Sequence, residues 1–188
     1  LLYDWPAWAR PDQLPPSGDW LTWLVQAGRG FGKSRTGAEA TRDRVDHRGA
    51  RRVALVGRTP ADVRDTMVEG ESGLLACYPP GKTPLYEPSK RRLTWPNGAV
   101  ALTFTSYEPD QLRGPQFDWM WWDELAAFKY LRETWDNGQL TLRLGQDPHQ
   151  IVTTTPRPVG VLKEILASPT THLTRGTTYD NLVNLAPT

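Results

Sequence analysis

A glycine-rich loop between an apolar segment and a helical pattern constrains the fold of this chain more than any other feature. The apolar segment covers residues 20–26, and residues 34–48 repeat with a helical period. The loop between them reads Ala27-Gly28-Arg29-Gly30-Phe31-Gly32-Lys33-Ser34, and Arg35 follows it. A strand, a glycine-rich turn and a helix in this order are typical of a loop that holds phosphate groups.

Each part of this loop has chemistry that suits a nucleotide. Backbone N–H groups of the loop and of the helix start can cradle phosphates. The Lys33 ammonium can reach the β- and γ-phosphates, and the Ser34 hydroxyl can bind Mg²⁺. The full pattern begins with Gly where this chain has Ala27, but Gly28 and Gly30 still permit a tight turn. A flexible surface turn is the alternative, and the agreement of strand, loop and helix disfavours it.

Two adjacent acids follow a second apolar segment. We predict that residues 117–122 form a strand that ends at Asp123 and Glu124. Asp123 can hold Mg²⁺, directly or through water, and Glu124 can orient and deprotonate a water that attacks the γ-phosphate. Alone, such a pair is more often a solvated turn or a helix cap. Together with the loop it predicts an ATPase, and the lack of an Asn-Lys-x-Asp motif disfavours a GTPase.

Further apolar segments alternate with helical ones. We predict strands at 52–57 and 172–177, a strand and turn at 151–156, and a hairpin over 91–104 with an Asn-Gly turn. We predict helices at 60–67, 73–77, 130–144 and 161–167. This order predicts an α/β fold with a mostly parallel central sheet, helices on both faces and an inserted β-hairpin. The long separation between loop and acids is typical of P-loop NTPases of the additional-strand, catalytic-glutamate class. On the helix after the loop, a charged group is expected to face solvent: Arg42, Asp43, Arg44 and Asp46.

Length and composition exclude several classes of protein. The 188 residues suit a single domain, with a Pro- and Trp-rich N-terminal strap at 1–18 and a core at 19–188. The net charge of +1 argues against a tail-like binder of nucleic acid, and a single cysteine, Cys77, excludes an internal disulfide. The three histidines lie far apart, which disfavours a zinc site. No apolar run approaches the ~18 residues of a membrane span. Without an initiator Met or a secretion signal, we expect a cytoplasmic fragment of a longer chain.

In the order and spacing of its motifs, the chain resembles the N-terminal ATPase domain of the large terminase subunit, the DNA-packaging motor of tailed bacteriophages and prophages. The resemblance covers nearly the whole chain, from residues 9–16 to residues 178–181. Its most specific parts are residues 28–35, Leu112-Arg113-Gly114-Pro115-Gln116-Phe117-Asp118 and Trp122-Asp123-Glu124-Leu125, and Thr153-Thr154-Thr155-Pro156 also fits.

The resemblance implies ATP and Mg²⁺ as cofactors and double-stranded DNA as the translocated partner. It also implies a portal protein, a small terminase subunit and a homo-oligomeric, pentameric ring at the procapsid portal in the host cytoplasm. Too few residues follow residue 156 for the family's C-terminal nuclease domain, so we expect no DNA cleavage by this chain.

Some residue roles come from the resemblance alone. Arg29 would contact phosphate or link the nucleotide to the rest of the motor, and an exposed loop arginine is the alternative. Thr154 or Thr155 would couple hydrolysis to movement, although threonines are also common in strands. Gln13 would read the adenine edge through its amide donor and acceptor, or would be a solvated residue of the strap.

Arg113 has two interpretations of equal weight. The resemblance implies an arginine finger that reaches the nucleotide of a neighbouring subunit, where a fixed positive charge stabilises the γ-phosphoryl oxygens. Alternatively, Arg113 pairs with Asp110 or Asp118 in its own chain.

Three further alternatives stay open. A helicase or a DNA-repair ATPase shares the loop and the acids but needs a second motor domain. A non-catalytic P-loop module is disfavoured because Lys33, Ser34, Asp123 and Glu124 are all present. Basic stretches at 42–52 and 90–92 could contact DNA phosphates or could simply be solvated faces.

Overall fold

Eight strands form one sheet in the computed structural model, which describes residues 3–177 and residue 180. In chain order they are β1 (Thr22–Ala27), β2 (Arg52–Gly57), β3 (Leu85–Glu87), β4 (Arg92–Thr94), β5 (Val100–Thr105), β6 (Trp119–Asp123), β7 (His149–Thr154) and β8 (Thr171–Gly176). Their order in the sheet is β3-β4-β5-β2-β6-β7-β1-β8. The β3–β4 and β4–β5 pairs are antiparallel, and the other neighbouring pairs are parallel. The prediction of a mostly parallel sheet with an inserted hairpin is therefore confirmed.

Helices connect the strands. The α-helices of the described chain are α1 (Trp5–Trp8), α2 (Lys33–His47), α3 (Pro60–Asp62), α4 (Leu131–Thr141) and α5 (Gly160–Ala167). A π-helix, Val63–Val68, continues α3, and short 3-10 helices cover Pro11–Gln13, Leu75–Cys77, Pro88–Lys90, Pro109–Leu112 and Leu125–Ala127. No helix in this part of the chain is long and apolar enough to cross a membrane.

Strand β6 shows how the sheet separates two hydrophobic cores. Successive side chains of a strand point to opposite faces. Trp119 and Trp121 accordingly join the core under α2, while Met120 and Trp122 join the core under α4 and α5. Helices thus cover both faces, as the sequence predicts.

Two helical glycines let helices approach this strand closely. A Cβ at Gly37 of α2 would lie 2.2 Å from the Trp121 indole, and a Cβ at Gly138 of α4 would lie 2.2 Å from the Trp122 ring. Both distances are far below van der Waals contact, so each helix depends on the missing side chain for its position.

The hairpin region differs from the prediction by one strand. The Asn-Gly hairpin is present as β4 and β5, but β3 adds a third antiparallel strand that the sequence pattern did not reveal. Three residues are too few to show the alternation that marks a strand.

The predicted solvent face of α2 is wrong for its two arginines. The Arg44 guanidinium lies between the Trp20 and Trp119 rings, at 5.3 and 5.1 Å from their centroids. Arg42 donates from Nη1 to the carbonyls of Tyr3 and Cys77, each at 2.9 Å. Both long side chains lie along apolar and aromatic surface instead of extending into solvent.

Candidate nucleotide site

The predicted loop and acids meet at one edge of the sheet. Because β1, β2, β6 and β7 are parallel, their carboxyl ends lie along the same edge. A cleft of about 430 Å³ opens there. Its lining includes Arg29, Ser34, Arg58, Asp123, Glu124 and Arg157. A second cavity of about 530 Å³ extends over Gly30, Gly32, Lys33 and Arg35.

The glycines of the loop give the chain the turn it needs before α2. Gly30 and Gly32 have φ values of +76° and +93°, in the left-handed region that favours glycine. A Cβ at Gly32 would also lie 2.8 Å from Gln13 Nε2. The first N–H groups of α2 have no partner within the helix, so this helix start can bind anions.

Lys33 is held inside the loop. Its Nζ donates to the carbonyls of Ala27 and Gly28, both at 3.1 Å, and forms an ion pair with Glu124 Oε1 at 3.2 Å. The Lys33 side chain is 8 % exposed and that of Glu124 is 40 % exposed. The structure therefore places the predicted phosphate-binding cation beside the predicted base.

Asp123 is buried at the end of β6 and is held by Thr153 of β7. The two residues are partners in the parallel register, and Thr153 Oγ1 lies 2.6 Å from Asp123 Oδ1. Burial raises the pKa of Asp123 to about 7; the Thr153 hydrogen bond lowers this pKa, and the negative charge of Glu124 raises it. A nearby cation would favour the ionised carboxylate.

The backbone of Glu124 is strained. Its φ of 54° is left-handed, which is uncommon for a residue with a side chain. The Thr155 hydroxyl lies 3.0 Å from Glu124 Oε2, and the Thr155 N–H donates to the same oxygen at 3.3 Å. These contacts hold the carboxylate at the mouth of the cleft.

The three threonines at the end of β7 have different contacts. Thr153 contacts Asp123 and Thr155 contacts Glu124, whereas Thr154 Oγ1 accepts the N–H of Ala126 at 3.1 Å. The resemblance places Thr153 to Thr155 in a coupling motif and favours Thr154 or Thr155 as the coupling residue, but it implies no contact between Thr153 and Asp123. Only the register between β6 and β7 reveals its contact with Asp123.

Other predicted residues lie near the loop with their side chains directed elsewhere. Phe31 is fully buried, with its ring under the Arg10 guanidinium at 4.6 Å, so only its backbone can contact phosphate. Arg35 pairs with Glu39 at 2.5 Å and lies over the rings of Trp5 and Trp8.

Gln13 is buried beside the loop instead of being solvated. It is 6 % exposed, and its Nε2 donates to Thr36 Oγ1 at 3.2 Å. Arg29 is exposed and also lines the cleft, so both interpretations of that residue fit its position.

Arg113 lies outside the lining of the cleft. Its side chain is 69 % exposed, and its Nε is 3.2 Å from Asp110 Oδ1 and 3.1 Å from Asn137 Oδ1. Of the two predicted intrachain partners, Asp110 is therefore the one observed. Asp118 instead accepts the backbone N–H groups of Arg51 and Arg52.

Two cleft arginines were missed by the sequence analysis. Arg58 follows β2 and Arg157 follows β7, and both line the cleft with Glu124. Their position after strands that end at this edge is the signal that could have identified them.

The residues of the cleft fit a magnesium ion bound together with phosphates. Mg²⁺ in nucleotide sites is usually held by one or two side-chain oxygens, substrate phosphates and water. Ser34 supplies a hydroxyl to the same cleft as Asp123. Among the described residues, the hydrogen bond to Asp123 comes from Thr153 to Oδ1, which leaves Oδ2 for a cation.

A glycine-rich loop before a helix, with acids at the end of another strand of a parallel sheet, defines the class of P-loop NTPases. The family model described as "Terminase large subunit, T4likevirus-type, N-terminal" matches residues 24–187, and the chain belongs to this family. Part of the family resemblance, at residues 178, 179 and 181, lies outside the described residues.

Solved structures show the same fold. The large terminase ATPase domain of Thermus phage P74-26 is 15 % identical with a TM-score of 0.67, over 85 % of this chain and 76 % of that one. The large terminase of a thermophilic bacteriophage, solved in complex with ADP, is 16 % identical with a TM-score of 0.68, over 98 % of this chain and 46 % of that one. The Phi-28 gp11 DNA packaging motor is 11 % identical with a TM-score of 0.51, over 84 % of this chain and 57 % of that one. No curated protein sequence matches the chain. The fold is thus that of terminase ATPase domains, and the chain spans less than half of the ADP-bound large terminase.

Proposed function

We propose that this chain binds ATP with Mg²⁺ and hydrolyses it to drive double-stranded viral DNA into a preformed capsid. The observation that carries the proposal is the convergence of Lys33 and Ser34 with Asp123 and Glu124 at one edge of the sheet. Family membership and the ADP bound to the large terminase of the thermophilic bacteriophage support it. The position of β7 between β1 and β6 supports the additional-strand class.

Lys33 would exchange partners when a triphosphate enters. Its ammonium now binds two loop carbonyls and Glu124. Phosphate oxygens are strong acceptors for a buried cation, so they would compete for this ammonium and release Glu124 from the ion pair.

Glu124 would then act as the general base. Held by Thr155 and partly exposed, its carboxylate can accept a proton from a water in line with the γ-phosphate. Mg²⁺ bound at Asp123 and Ser34 would neutralise charge on the phosphate oxygens. Arg29, Arg58 and Arg157 line the same cleft and add positive charge.

The contacts of Thr155 favour it over Thr154 as the coupling residue. Thr155 contacts Glu124, the proposed base, directly, whereas Thr154 accepts a hydrogen bond from Ala126 in the turn after Glu124. A change in Glu124 would therefore reach the end of β7 through Thr155 first.

Arg113 would act on a neighbouring subunit in a ring, which we expect to be pentameric and assembled with the portal protein and the small terminase subunit in the host cytoplasm. Its ion pair with Asp110 is largely exposed, with side chains 69 % and 84 % accessible. Exposed pairs contribute little, so this contact can be given up at low cost.

The direct test is Mg²⁺-dependent ATP turnover per subunit across a range of protein concentrations. We expect turnover to rise with concentration and to fall at least about 100-fold in Glu124→Gln, which removes the base. Asp147→Asn, at the opposite edge of the sheet, is the matched control and should retain turnover. Wild-type chain that neither binds nor hydrolyses ATP at any concentration would refute the proposal.

The Arg113→Ala variant distinguishes a role of Arg113 in a neighbouring subunit from a role within its own chain. At concentrations where subunits assemble, we expect turnover to fall about 10³-fold or more, the typical worth of an arginine finger. Asp110→Ala should leave turnover intact. If the assembled Arg113→Ala variant turned over ATP as fast as wild type, the role in a neighbouring subunit would be refuted and only the intrachain contacts of Arg113 would remain.

A further inference from the structure

Behind the acid pair, a buried indole is bonded to the hydroxyl that holds Asp123. Trp121 Nε1 donates to Thr153 Oγ1 at 3.0 Å. The same Oγ1 lies 2.6 Å from Asp123 Oδ1 and 3.1 Å from the carbonyl oxygen of Trp122. Trp121 and Thr153 are both fully buried, so no bulk water competes for these contacts.

The chemistry of the groups fixes the direction of these hydrogen bonds. An indole N–H can only donate, so Thr153 Oγ1 must accept from Trp121. The hydroxyl has one proton of its own, and when Asp123 is ionised, as a bound cation favours, its carboxylate is the nearer and stronger acceptor. The proton is therefore directed to Asp123 Oδ1, which leaves Oδ2 as the oxygen free for a cation.

Packing holds the indole in this position. A Cβ at Gly37 would lie 2.2 Å from both Nε1 and Cε2 of Trp121, so α2 lies directly on the ring. Helix α2, which begins at the phosphate loop, therefore contacts the Trp121 indole that donates to Thr153.

We infer that Trp121 and Thr153 are positioning residues that orient the Asp123 carboxylate for Mg²⁺, an inference that rests on the proposed function. Neither side chain lines the cleft, so both act through Asp123. Partners of this kind typically contribute about 10–100-fold to metal affinity.

The strand that carries Trp121 also provides its control. Trp119 lies on the same face of β6 and donates its indole N–H to Thr41 Oγ1 at 3.0 Å. Trp119→Phe and Trp121→Phe each remove one buried indole hydrogen bond and the same ring volume. Only the second removes a donor to Thr153.

The experiment measures binding of a fluorescent, non-hydrolysable ATP analogue as Mg²⁺ is titrated, and again in EDTA. We expect Thr153→Val to raise the half-saturating Mg²⁺ concentration about tenfold or more, with Thr153→Ser near wild type. Trp121→Phe should raise it about fivefold, the effect of one neutral hydrogen bond, and Trp119→Phe should not. Affinity in EDTA should be the same for all variants.

Equal shifts in Trp119→Phe and Trp121→Phe would overturn the inference. So would a Thr153→Val variant that loses as much affinity in EDTA as in Mg²⁺, because that result indicates a general structural role. If Trp121→Phe does not fold, the Thr153→Val and Thr153→Ser pair decides alone. A wild-type chain that binds no analogue in either condition would refute the proposed function, and this inference with it.

Discussion

The amino and carboxyl edges of the sheet both hold a cavity, a cation and acidic side chains, but the surroundings of the cation differ between the two edges. At the amino edge the cavity is about 900 Å³, and Arg44 is enclosed by two Trp rings with Asp147 at 3.5 Å. At the carboxyl edge the cleft is about 430 Å³, and Lys33 pairs with a strained, partly exposed Glu124. The cavity at the amino edge thus holds a cation fixed by packing, whereas the cation at the carboxyl edge is paired with a partly exposed carboxylate.

Backbone geometry explains much of this difference. Strands enter the sheet at the amino edge, where side chains from β1, from β6, from the start of β7 and from α2 line one cavity. At the carboxyl edge the chain leaves the sheet through a glycine-rich loop and a left-handed Glu124, which present N–H groups and carboxylates to the cleft. Neither cavity volume nor charge alone would therefore identify the site.

Removing the cation at the carboxyl edge should affect nucleotide binding, whereas removing the cation at the amino edge should affect stability. Lys33→Ala should weaken binding of an ATP analogue about 10–100-fold, because a charge-assisted contact to phosphate is lost. Arg44→Ala should leave that affinity unchanged and lower the free energy of unfolding by about 1 kcal/mol, through lost packing on two rings. Fluorescence titration and urea unfolding of both variants measure this. Loss of nucleotide affinity in Arg44→Ala would contradict the division between the edges.

Adding a methyl group at each of the two close helix–strand contacts should distinguish an effect on stability from an effect on Mg²⁺-dependent binding. Gly37→Ala and Gly138→Ala each force a methyl group against a Trp ring of β6, and each should lower the free energy of unfolding by about 1–3 kcal/mol. Only Gly37→Ala displaces Trp121, so it alone should raise the Mg²⁺ concentration needed for analogue binding. If Gly138→Ala raised it equally, the effect would be one of global stability.

Arg91 tests whether the strain at Glu124 is specific to the site. Arg91 also has a left-handed backbone, with φ 52°, but lies in the turn before β4. Arg91→Gly should raise the free energy of unfolding by about 0.5 kcal/mol, since relief of the left-handed strain exceeds the added entropy of the unfolded chain. The neighbouring Arg92→Gly, in extended β4, should lower it. Both should retain ATP turnover, and a loss of turnover in Arg91→Gly would place functional strain outside the cleft.

The site was predictable to the extent that its chemistry is contiguous in sequence. The loop with Lys33 and Ser34, and the adjacent acids Asp123 and Glu124, are local patterns whose spacing already indicates phosphate chemistry. Thr153, Arg58 and Arg157 reach the site only because separate strands end at the same edge. Such convergence depends on strand order and register, which the sequence pattern does not specify.

The errors on α2 have a similar cause. Arg42 and Arg44 are two residues apart, about 200° around a helix, so they lie on different sides of α2. Whether solvent or protein covers each side depends on distant segments. Trp20 and Trp119 come from two different parts of the chain and enclose Arg44 only in the folded protein. The roles of Arg29, Gln13 and Arg113 remain predictions.

The short antiparallel strand β3 has a consequence for how copies of this chain can coexist. An outer strand of a sheet exposes unpaired N–H and C=O groups that can recruit a strand from another molecule, which leads to aggregation. Here that strand has three residues, with Pro84 immediately before it and Pro88 immediately after it. Because proline supplies no N–H and the strand is so short, it offers little for a foreign strand to extend. Copies of this chain at high concentration can therefore lie side by side at this edge without joining their sheets.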